Sequence, residues 1–318
     1  MSKTLLILFV SAIYFVGCQS NEVNVKKSVV EAKSQQASKA VKDPVVSASA
    51  LKPLDDRSFR AQFSKKLGKL KDDKQTTDVK ALLAELKKEK KCSIDIPAPK
   101  TKPLNTAALY EECAPSTLIV GNVYKCGKCN NWHDSMASGY AIAPDIIATN
   151  YHVLDNTRAS AMGIMTPSGE VYPIIEVLAS NKADDVALAR IEIPDGKPAL
   201  KPATIAPHTP VGSRIGVISH PTGRFYTYTE GMISRYFNIQ FSKTSKAVRM
   251  AITADYAKGS SGGPVFDEAG NICGMVSSTN SIYYNRDKKG IDQNLQMVIK
   301  NCVPAASILK LIESLEKK

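Results

Sequence analysis

The sequence predicts an all-β fold for its long central region, which extends from about residue 117 to residue 298. Short runs rich in β-branched and other apolar residues recur there, and turn-forming residues separate them. Such runs occupy residues 117–121, 171–178, 214–219, 248–253, 272–277 and 295–299. The chain has 318 residues, of which 43% are hydrophobic, enough for one sizeable folded domain with appendages. The pattern favours a β-sandwich or a β-barrel.

Ser261 lies in a glycine-rich turn, Gly-Ser-Ser-Gly-Gly-Pro, at residues 259–264 between two of these runs. A serine hydroxyl is an effective nucleophile only when a base takes its proton and fixed donors stabilise the oxyanion. Glycines permit backbone conformations in which the amides of Gly259 and Ser261 point at one spot. The turn therefore has two interpretations, a nucleophile with its oxyanion hole or a simple connection between two strands.

A base for this serine has to come from one of four histidines: His133, His152, His208 and His220. His152 follows two short β-type runs joined by a Pro-Asp turn, which predict a hairpin that ends at the histidine. A carboxylate is needed to fix the imidazole tautomer, and Asp185 directly precedes an apolar run. The candidates therefore occur in the order histidine, aspartate, serine.

Three blocks of the sequence resemble the catalytic blocks of trypsin-like serine proteases, and most nearly those of the bacterial HtrA (Deg) type. They are Thr-Asn-Tyr-His-Val, Asp-Asp-Val-Ala-Leu-Ala-Arg-Ile and Gly-Ser-Ser-Gly-Gly-Pro-Val-Phe, in this order. Three blocks in register are more specific than any one of them, and the similarity covers roughly residues 114 to 312. The resemblance implies two six-stranded antiparallel β-barrels, with a protease domain at residues 114–303 and a C-terminal helix at 304–318.

The resemblance also implies a role for each candidate residue. His152 would be the general base and Asp185 its orienting partner, both from the first barrel, while Ser261 from the second barrel would be the nucleophile. The amides of Gly259 and Ser261 would form the oxyanion hole, in a cleft between the barrels. Asp184 competes with Asp185, which is preferred because the family's aspartate directly precedes an apolar strand. A PDZ domain, usual after the HtrA protease domain, is not expected, because only a short tail follows.

Substrate specificity depends on Asp255. In trypsin-like enzymes the residue six positions before the nucleophile lies at the base of the pocket for the substrate side chain, and here it is Asp255. A buried carboxylate there would favour Lys or Arg in the substrate. A solvated loop position is the other interpretation, and both stay open. His220 is a second candidate pocket residue, for which a structural role is favoured.

The N-terminus predicts export. Residues 1–17 combine one basic residue, an apolar run and a small residue, which is typical of a secretory signal peptide. The ending Phe-Val-Gly-Cys resembles the bacterial lipobox and implies cleavage before Cys18 and lipid attachment to its thiol. The apolar run is too short to favour a spanning helix. Residues 18–56 lack sustained periodicity and are predicted as a flexible tether of a cell-envelope lipoprotein.

Residues 57–92 predict a basic helical hairpin, and residues 93–113 an extended connector to the protease domain. Apolar residues recur at helical spacing in two segments, and lysines crowd the remaining faces. Much of the net charge of +12 therefore falls outside the protease domain. These faces either attract an anionic lipid or polymer surface or are simply solvated, and the second interpretation is favoured.

Export predicts disulfides, because six of the seven cysteines remain once Cys18 is assigned to lipid. We favour the pairs Cys126–Cys129, Cys92–Cys113 and Cys273–Cys302, and no metal. The rival is a zinc site formed by Cys126, Cys129 and His133. These supply only three local ligands, so Cys113 would have to be the fourth ligand of a structural zinc.

Together these features predict an exported, lipid-anchored serine endopeptidase that acts on proteins or peptides and needs no cofactor. Its membrane contact would come through the lipid, and nucleic acid is not an expected partner because no nucleic-acid motif is recognised. The alternative is a catalytically silent or latent protein that uses the protease fold for binding in the cell envelope. A misformed oxyanion turn would give that result and is invisible in a sequence. No oligomeric state is predicted.

Overall fold

The computed structural model describes residues 53–242 and 245–313. The predicted signal peptide, Cys18 and nearly all of the predicted tether lie outside these residues. None of the helices that the described residues form is both long and apolar enough to cross a membrane.

Four elements precede the barrels: α1 (Asp56–Asp72), α2 (Val79–Leu86), β1 (Cys92–Ser93) and α3 (Thr106–Cys113). Each helix begins at a side chain that accepts a hydrogen bond from the first turn: Asp55 for α1, Asp78 for α2 and Asn105 for α3. The predicted connector is therefore only partly extended, because α3 occupies its C-terminal end and buries Leu109 and Cys113.

The first barrel has six strands and closes in the order β2-β3-β4-β7-β6-β5. Its elements are β2 (Thr117–Tyr124), β3 (His133–Ala143), β4 (Ile146–Thr149), a short helix α4 (Tyr151–Leu154), β5 (Ala161–Met165), β6 (Val171–Asn181) and β7 (Val186–Ile191). All neighbouring strands are antiparallel. Closure pairs every strand on both edges, so this barrel has no open edge.

The second barrel also closes with six antiparallel strands, in the order β10-β13-β12-β11-β8-β9. Its strands are β8 (Arg214–Ser219), β9 (Thr227–Gln240), β10 (Lys246–Ile252), β11 (Pro264–Asp267), β12 (Ile272–Arg286) and β13 (Asp292–Pro304). The predicted fold class, two six-stranded antiparallel barrels, is confirmed.

The two N-terminal helices, α1 and α2, pack on the first barrel. Phe63 and Leu67 of α1 share a core with Ile119 and Val123, which lie on one face of β2. Leu118 and other residues on the opposite face of β2 join a second core, to which all four buried residues of α2 contribute. Burial on both faces agrees with the consecutive apolar residues 118–120 of β2, since α1 covers one of these faces.

The C-terminal helix is shorter than predicted. Helix α5 (Ala305–Leu309) buries Ile308 against both barrels' shared core, but the chain then forms β14 (Ile312–Glu313), which pairs in parallel with β1. The Cys92 amide donates to the Leu311 carbonyl at 3.0 Å. Pairing with β1 thus satisfies backbone groups that a longer helix would have used.

The cysteines of the described region, from Cys92 to Cys302, all have free thiols, so none of the three predicted disulfides is formed. Cys273 and Cys302 are buried in the core of the second barrel and have different partners, the Val265 carbonyl and the Tyr256 hydroxyl. Cys113 is also buried, where it contacts the Gly270 carbonyl at 3.8 Å. It does not join the Cys126, Cys129 and His133 cluster.

Candidate active site

His152 lies in the short helix α4, which follows the β3–β4 hairpin as the sequence predicts. Its Nδ1 atom is 3.0 Å from both carboxylate oxygens of Asp185. The imidazole is about half exposed, while the Asp185 side chain is largely buried. Its Nε2 has no hydrogen-bond partner among the described residues. This arrangement fixes the ring through Nδ1 and leaves Nε2 free to exchange a proton.

Asp185 is held by several donors and by its own backbone. Its φ of +62° is unusual for a residue with a side chain and turns the carboxylate back towards α4. The His152 amide donates to Oδ1 at 3.2 Å, and the Ser277 hydroxyl donates to Oδ2 at 2.8 Å. The Asn150 side-chain amide donates to the Asp185 carbonyl at 3.0 Å. The carboxylate is therefore positioned from α4 and from β12 at once.

Asp184, the competing candidate, points elsewhere. Its amide donates to Asn181 at 2.7 Å, and its carboxylate lies 3.9 Å from the Lys310 ammonium. The structure thus brings Asp185, and not Asp184, to the histidine.

Ser261 lies in the connection between β10 and β11, on the second barrel. Its hydroxyl donates to the Ser277 carbonyl at 3.3 Å, a long hydrogen bond. The hydrogen bonds of the described residues include none between Ser261 and His152. A serine hydroxyl rotates about one bond, and catalytic contacts are often incomplete in a substrate-free site. Ser277 therefore contacts both groups, because its carbonyl accepts from Ser261 and its hydroxyl donates to Asp185.

The turn around Ser261 leaves two amides free. Ser260, Gly262 and Gly263 donate their amides to backbone carbonyls at 2.9–3.0 Å. Among the described residues, neither the Gly259 amide nor the Ser261 amide has an acceptor. These are the two donors that the sequence predicts for an oxyanion hole, and they flank the serine.

Glycine is required at two positions of this turn. Gly259 has φ +96°, and a Cβ there would lie 2.6 Å from the His220 carbonyl. Gly262 has φ +83°, and a Cβ there would lie 2.1 Å from the Ser138 carbonyl. Both positions combine a left-handed backbone with close approach of another backbone segment, so any side chain would displace the turn.

Ser138, on β3 of the first barrel, joins that barrel to the turn and was not predicted. Its amide donates to the Ser261 carbonyl at 2.8 Å. Its hydroxyl donates to the Gly259 carbonyl at 3.0 Å and accepts from the His220 amide at 3.1 Å. Two of these bonds hold the Gly259 and Ser261 carbonyls of the turn, and the third ties the His220 backbone to the same serine. Nothing in the local sequence marks Ser138 or Ser277, because each acts through contacts distant in the chain.

His220 has the structural role that the sequence favours. Its ring is buried, lies edge-on against Tyr226 with 4.8 Å between centroids, and accepts at Nδ1 from the Tyr226 amide at 3.0 Å. Burial lowers the pKa of His220 from 6.5 to about 4, so the ring is neutral near pH 7.

Asp255 is not a buried pocket carboxylate. Its side chain is 85% exposed, and it lies 3.2 Å from the ammonium of Lys300, whose own side chain is 13% exposed. The solvated-loop interpretation therefore describes its surroundings, and the neighbouring cation offsets its charge. Sequence spacing alone could not reveal Lys300, which comes from β13.

Comparison with known proteins agrees with this geometry. Residues 137–275 match the family model of the trypsin-like peptidase domain. The chain contains a trypsin-like peptidase domain. The match includes His152, Asp185 and Ser261, together with Ser138 and Gly259.

Two relatives of this domain are chloroplastic proteases of Arabidopsis thaliana. Protease Do-like 1 is 28% identical over 184 residues, 55% of this chain and 41% of its own length. Protease Do-like 8 is 31% identical over 144 residues, 40% of this chain and 31% of its own length. Their names agree with the HtrA-type resemblance of the catalytic blocks.

A third relative has a different name. The anti-sigma-I factor RsgI9 of Acetivibrio thermocellus is 32% identical over 143 residues, 45% of this chain and 19% of its own length. The chain therefore spans less than half the length of each of these curated relatives.

Proposed function

We propose that the protein is a serine endopeptidase that hydrolyses peptide bonds in proteins or peptides. The observation that carries this proposal is the 3.0 Å contact between His152 Nδ1 and Asp185 within a trypsin-like domain. A histidine oriented in this way can accept a proton at Nε2 and return it later.

In the proposed mechanism, the Ser261 hydroxyl leaves the Ser277 carbonyl and turns towards His152 when a substrate displaces water from the cleft. It attacks the peptide carbonyl carbon while His152 takes its proton, and the carbonyl oxygen becomes an oxyanion. The free amides of Gly259 and Ser261 stabilise this charge, at roughly 3–4 kcal/mol for each donor. His152 then protonates the leaving amine, and water, deprotonated by His152, releases the acyl group from Ser261.

Asp185 contributes to the proposed reaction only by its charge and by orienting His152. It keeps the Nδ1 proton of His152 in place and stabilises the imidazolium while the ring holds the serine's proton. The Ser277 hydroxyl donates to the same carboxylate at 2.8 Å and helps to hold it against the imidazole. No cofactor takes part in these steps.

The ion pair between Asp255 and Lys300 argues against a pocket selective for Lys or Arg. A basic substrate side chain would have to compete with the Lys300 ammonium for a carboxylate that water already solvates. We therefore propose that the preference for a substrate side chain does not depend on Asp255.

The proposed endopeptidase is also exported and lipid-anchored in the cell envelope, through Cys18. The support is the signal-peptide pattern and the Phe-Val-Gly-Cys ending at residues 15–18. Metabolic labelling with a radioactive fatty acid would mark the wild-type chain and a Cys92→Ser variant equally. Loss of the label in Cys18→Ser alone is the expected result, and a label retained in Cys18→Ser would contradict the anchor.

The activity itself is tested by digestion of unfolded casein, with cut sites mapped by mass spectrometry. Wild type and Ser281→Ala, which alters an exposed serine of β12, should give the same cuts. Ser261→Ala should give none, because it lacks the nucleophile. Cleavage of casein at equal rates by Ser261→Ala and by wild type would contradict the proposal.

One observation favours a second function, a latent or silent protease-fold protein that binds its partner without turnover. The Ser261 hydroxyl is bonded to Ser277 and not to His152. In such a protein this contact would persist with substrate bound. Wild type that retains casein on a column but leaves every peptide bond intact would favour this second function.

A further inference from the structure

Three metal-ligating side chains converge at the connection between β2 and β3 of the first barrel. Cys126 and Cys129 lie in the loop between β2 and β3, and His133 begins β3. Their two Sγ atoms and the His133 nitrogen all lie within 4.8 Å of one another. The Sγ atoms are 3.5 Å apart, and Cys129 Sγ is 3.2 Å from His133 Nε2.

These distances suit one tetrahedral ion. With Zn–S and Zn–N bonds of about 2.3 and 2.1 Å, ligand atoms on a tetrahedron are about 3.8 Å apart for S–S and about 3.6 Å for S–N. The distance between the two Sγ atoms and the distance from Cys129 Sγ to His133 Nε2 therefore need to increase by only a few tenths of an ångström. We propose that Cys126, Cys129 and His133 form a binding site for Zn²⁺ that cross-links the two ends of the β2–β3 loop.

The backbone holds the ligands in place before any ion binds. Tyr124 and His133 are direct partners across the β2–β3 pair, and their rings stack with centroids 5.6 Å apart. This contact fixes the plane of the imidazole whose Nε2 faces the thiols. The Lys128 amide donates to Cys126 Sγ at 3.4 Å, the kind of contact that stabilises a metal-bound thiolate. Gly127, at φ +73°, permits the tight turn between the two cysteines.

The rest of the loop is anchored to α1 and to itself. Trp132 packs against Gly68, where a Cβ would meet the indole at 2.2 Å, and its Nε1 donates to Asp72 at 3.1 Å. The Lys125 ammonium donates to the Asn130 carbonyl at 2.6 Å. A loop whose two ends are already fixed loses less conformational entropy when it binds an ion. Three protein ligands are therefore enough to hold the ion in this loop.

The ligand set selects the ion and leaves one position open. Thiolates and imidazole favour Zn²⁺ over Mg²⁺ or Ca²⁺, which prefer oxygen. The nearest carboxylate along β3, Asp134, is occupied by Arg60 and Ser64, so it does not supply a fourth ligand. Both thiols are exposed, and the fourth position would therefore be taken by water or a small anion.

Cobalt binding tests the site directly in the full-length chain carrying Ser261→Ala, after reduction with a phosphine and removal of metal by a chelator. One Co²⁺ per chain should bind, with the visible bands of tetrahedral thiolate coordination, and Zn²⁺ should displace it. Cys126→Ser, Cys129→Ser and His133→Ala should each weaken binding by at least about 10-fold. Cys92→Ser and His208→Ala, which alter ligand types elsewhere, should bind as before.

Two results would overturn the proposal. One is the absence of binding in a chain whose thiols are shown by titration to be reduced, which would leave Cys126 and Cys129 as a redox pair. The other is a cobalt spectrum that survives all three ligand substitutions.

Limited proteolysis gives a second readout that does not depend on the spectrum. Added trypsin should cut the loop after Lys128 at least about 10-fold more slowly with Zn²⁺ than without, because the ion cross-links the loop. Cutting after Lys289, in the exposed turn between β12 and β13, should not change. Equal protection of both sites, or of neither, would contradict the cross-link.

Discussion

The two halves of the candidate active site are built in different ways. The first-barrel half consists of His152 and Asp185. The ring and the backbone amide of His152 are both hydrogen-bonded to the Asp185 carboxylate. The second-barrel half, the turn around Ser261, depends on glycines and on Ser138, which reaches across from the first barrel. The proton-transfer pair makes its mutual hydrogen bonds within the first barrel, although Ser277 of the second barrel also donates to its carboxylate, whereas the turn that carries the nucleophile depends on Ser138 of the first barrel.

This difference separates two kinds of substitution. A change in the first-barrel half should affect the proton transfer itself. A change in the contacts that support the second-barrel half should affect where the nucleophile and amides point, and therefore kcat more than KM.

Asp185→Asn should lower kcat/KM by about 10³- to 10⁴-fold, because the amide would favour the wrong imidazole tautomer. Asp184→Asn is the matched control, since this neighbouring aspartate has no contact with His152 in the structure. Its kcat/KM should stay within about 3-fold of wild type, because its carboxylate lies against Lys310 at 3.9 Å and not against His152. Similar losses in both variants would show that the first-barrel half is assigned to the wrong aspartate.

His220 should make the second-barrel half sensitive to acid. Its folded pKa is about 4 against 6.5 for an ordinary histidine, so the unfolded chain binds the proton more tightly. The contribution of the neutral ring to the free energy of unfolding is fully present above pH 6.5. This contribution falls by roughly 3 kcal/mol as the pH falls towards about 4. Urea unfolding of wild type and His220→Gln at pH 7, 5.5 and 4 measures this difference.

The acid-dependent loss should be smaller in His220→Gln than in wild type over the whole interval. His208→Gln, at an exposed position, should follow wild type. An identical pH dependence in all three proteins would mean that His220 is not buried as a neutral ring.

Ser138→Ala should lower kcat by about 10- to 100-fold with KM nearly unchanged, because the Gly259 carbonyl would lose its donor and the oxyanion amides would shift. Ser135→Ala, an exposed serine on the same strand, serves as control. A fall in thermal stability with no change in kcat would restrict Ser138 to a structural role between the barrels.

Asp255→Asn should have the smallest effect, less than about 2-fold on kcat/KM for peptides with Lys, Arg or small apolar residues before the cut. The exposed carboxylate is paired with Lys300, and such a pair contributes at most about 1 kcal/mol. A selective loss of cutting after Lys and Arg would instead place Asp255 in the substrate pocket.

The sequence predicted the barrels because alternating apolar runs and turn residues carry a local signal, and the three catalytic blocks carry another. The signal was weaker outside the barrels. Helical spacing predicted two lysine-rich helices, but it could not show that Phe63 and Leu67 pack on the first barrel. Ile312 and Glu313 were predicted as helical, but their backbone pairs with β1.

Contacts between distant strands account for the features that the sequence did not reveal. Ser138 and Ser277 belong to strands that meet the turn and the carboxylate only after both barrels close. The Lys300 partner of Asp255 comes from a strand that follows it by many residues. Residue spacing identifies groups within a block, whereas the support of each group depends on the register between strands.

The most direct test of the central proposal is covalent labelling with a fluorophosphonate, followed by peptide mapping. The reagent reacts with a serine only where a base and oxyanion donors activate it. We predict one adduct per chain, on Ser261, lost in His152→Ala and retained in His208→Ala. An unlabelled wild-type chain that is folded, or equal labelling of His152→Ala, would contradict an active nucleophile at Ser261.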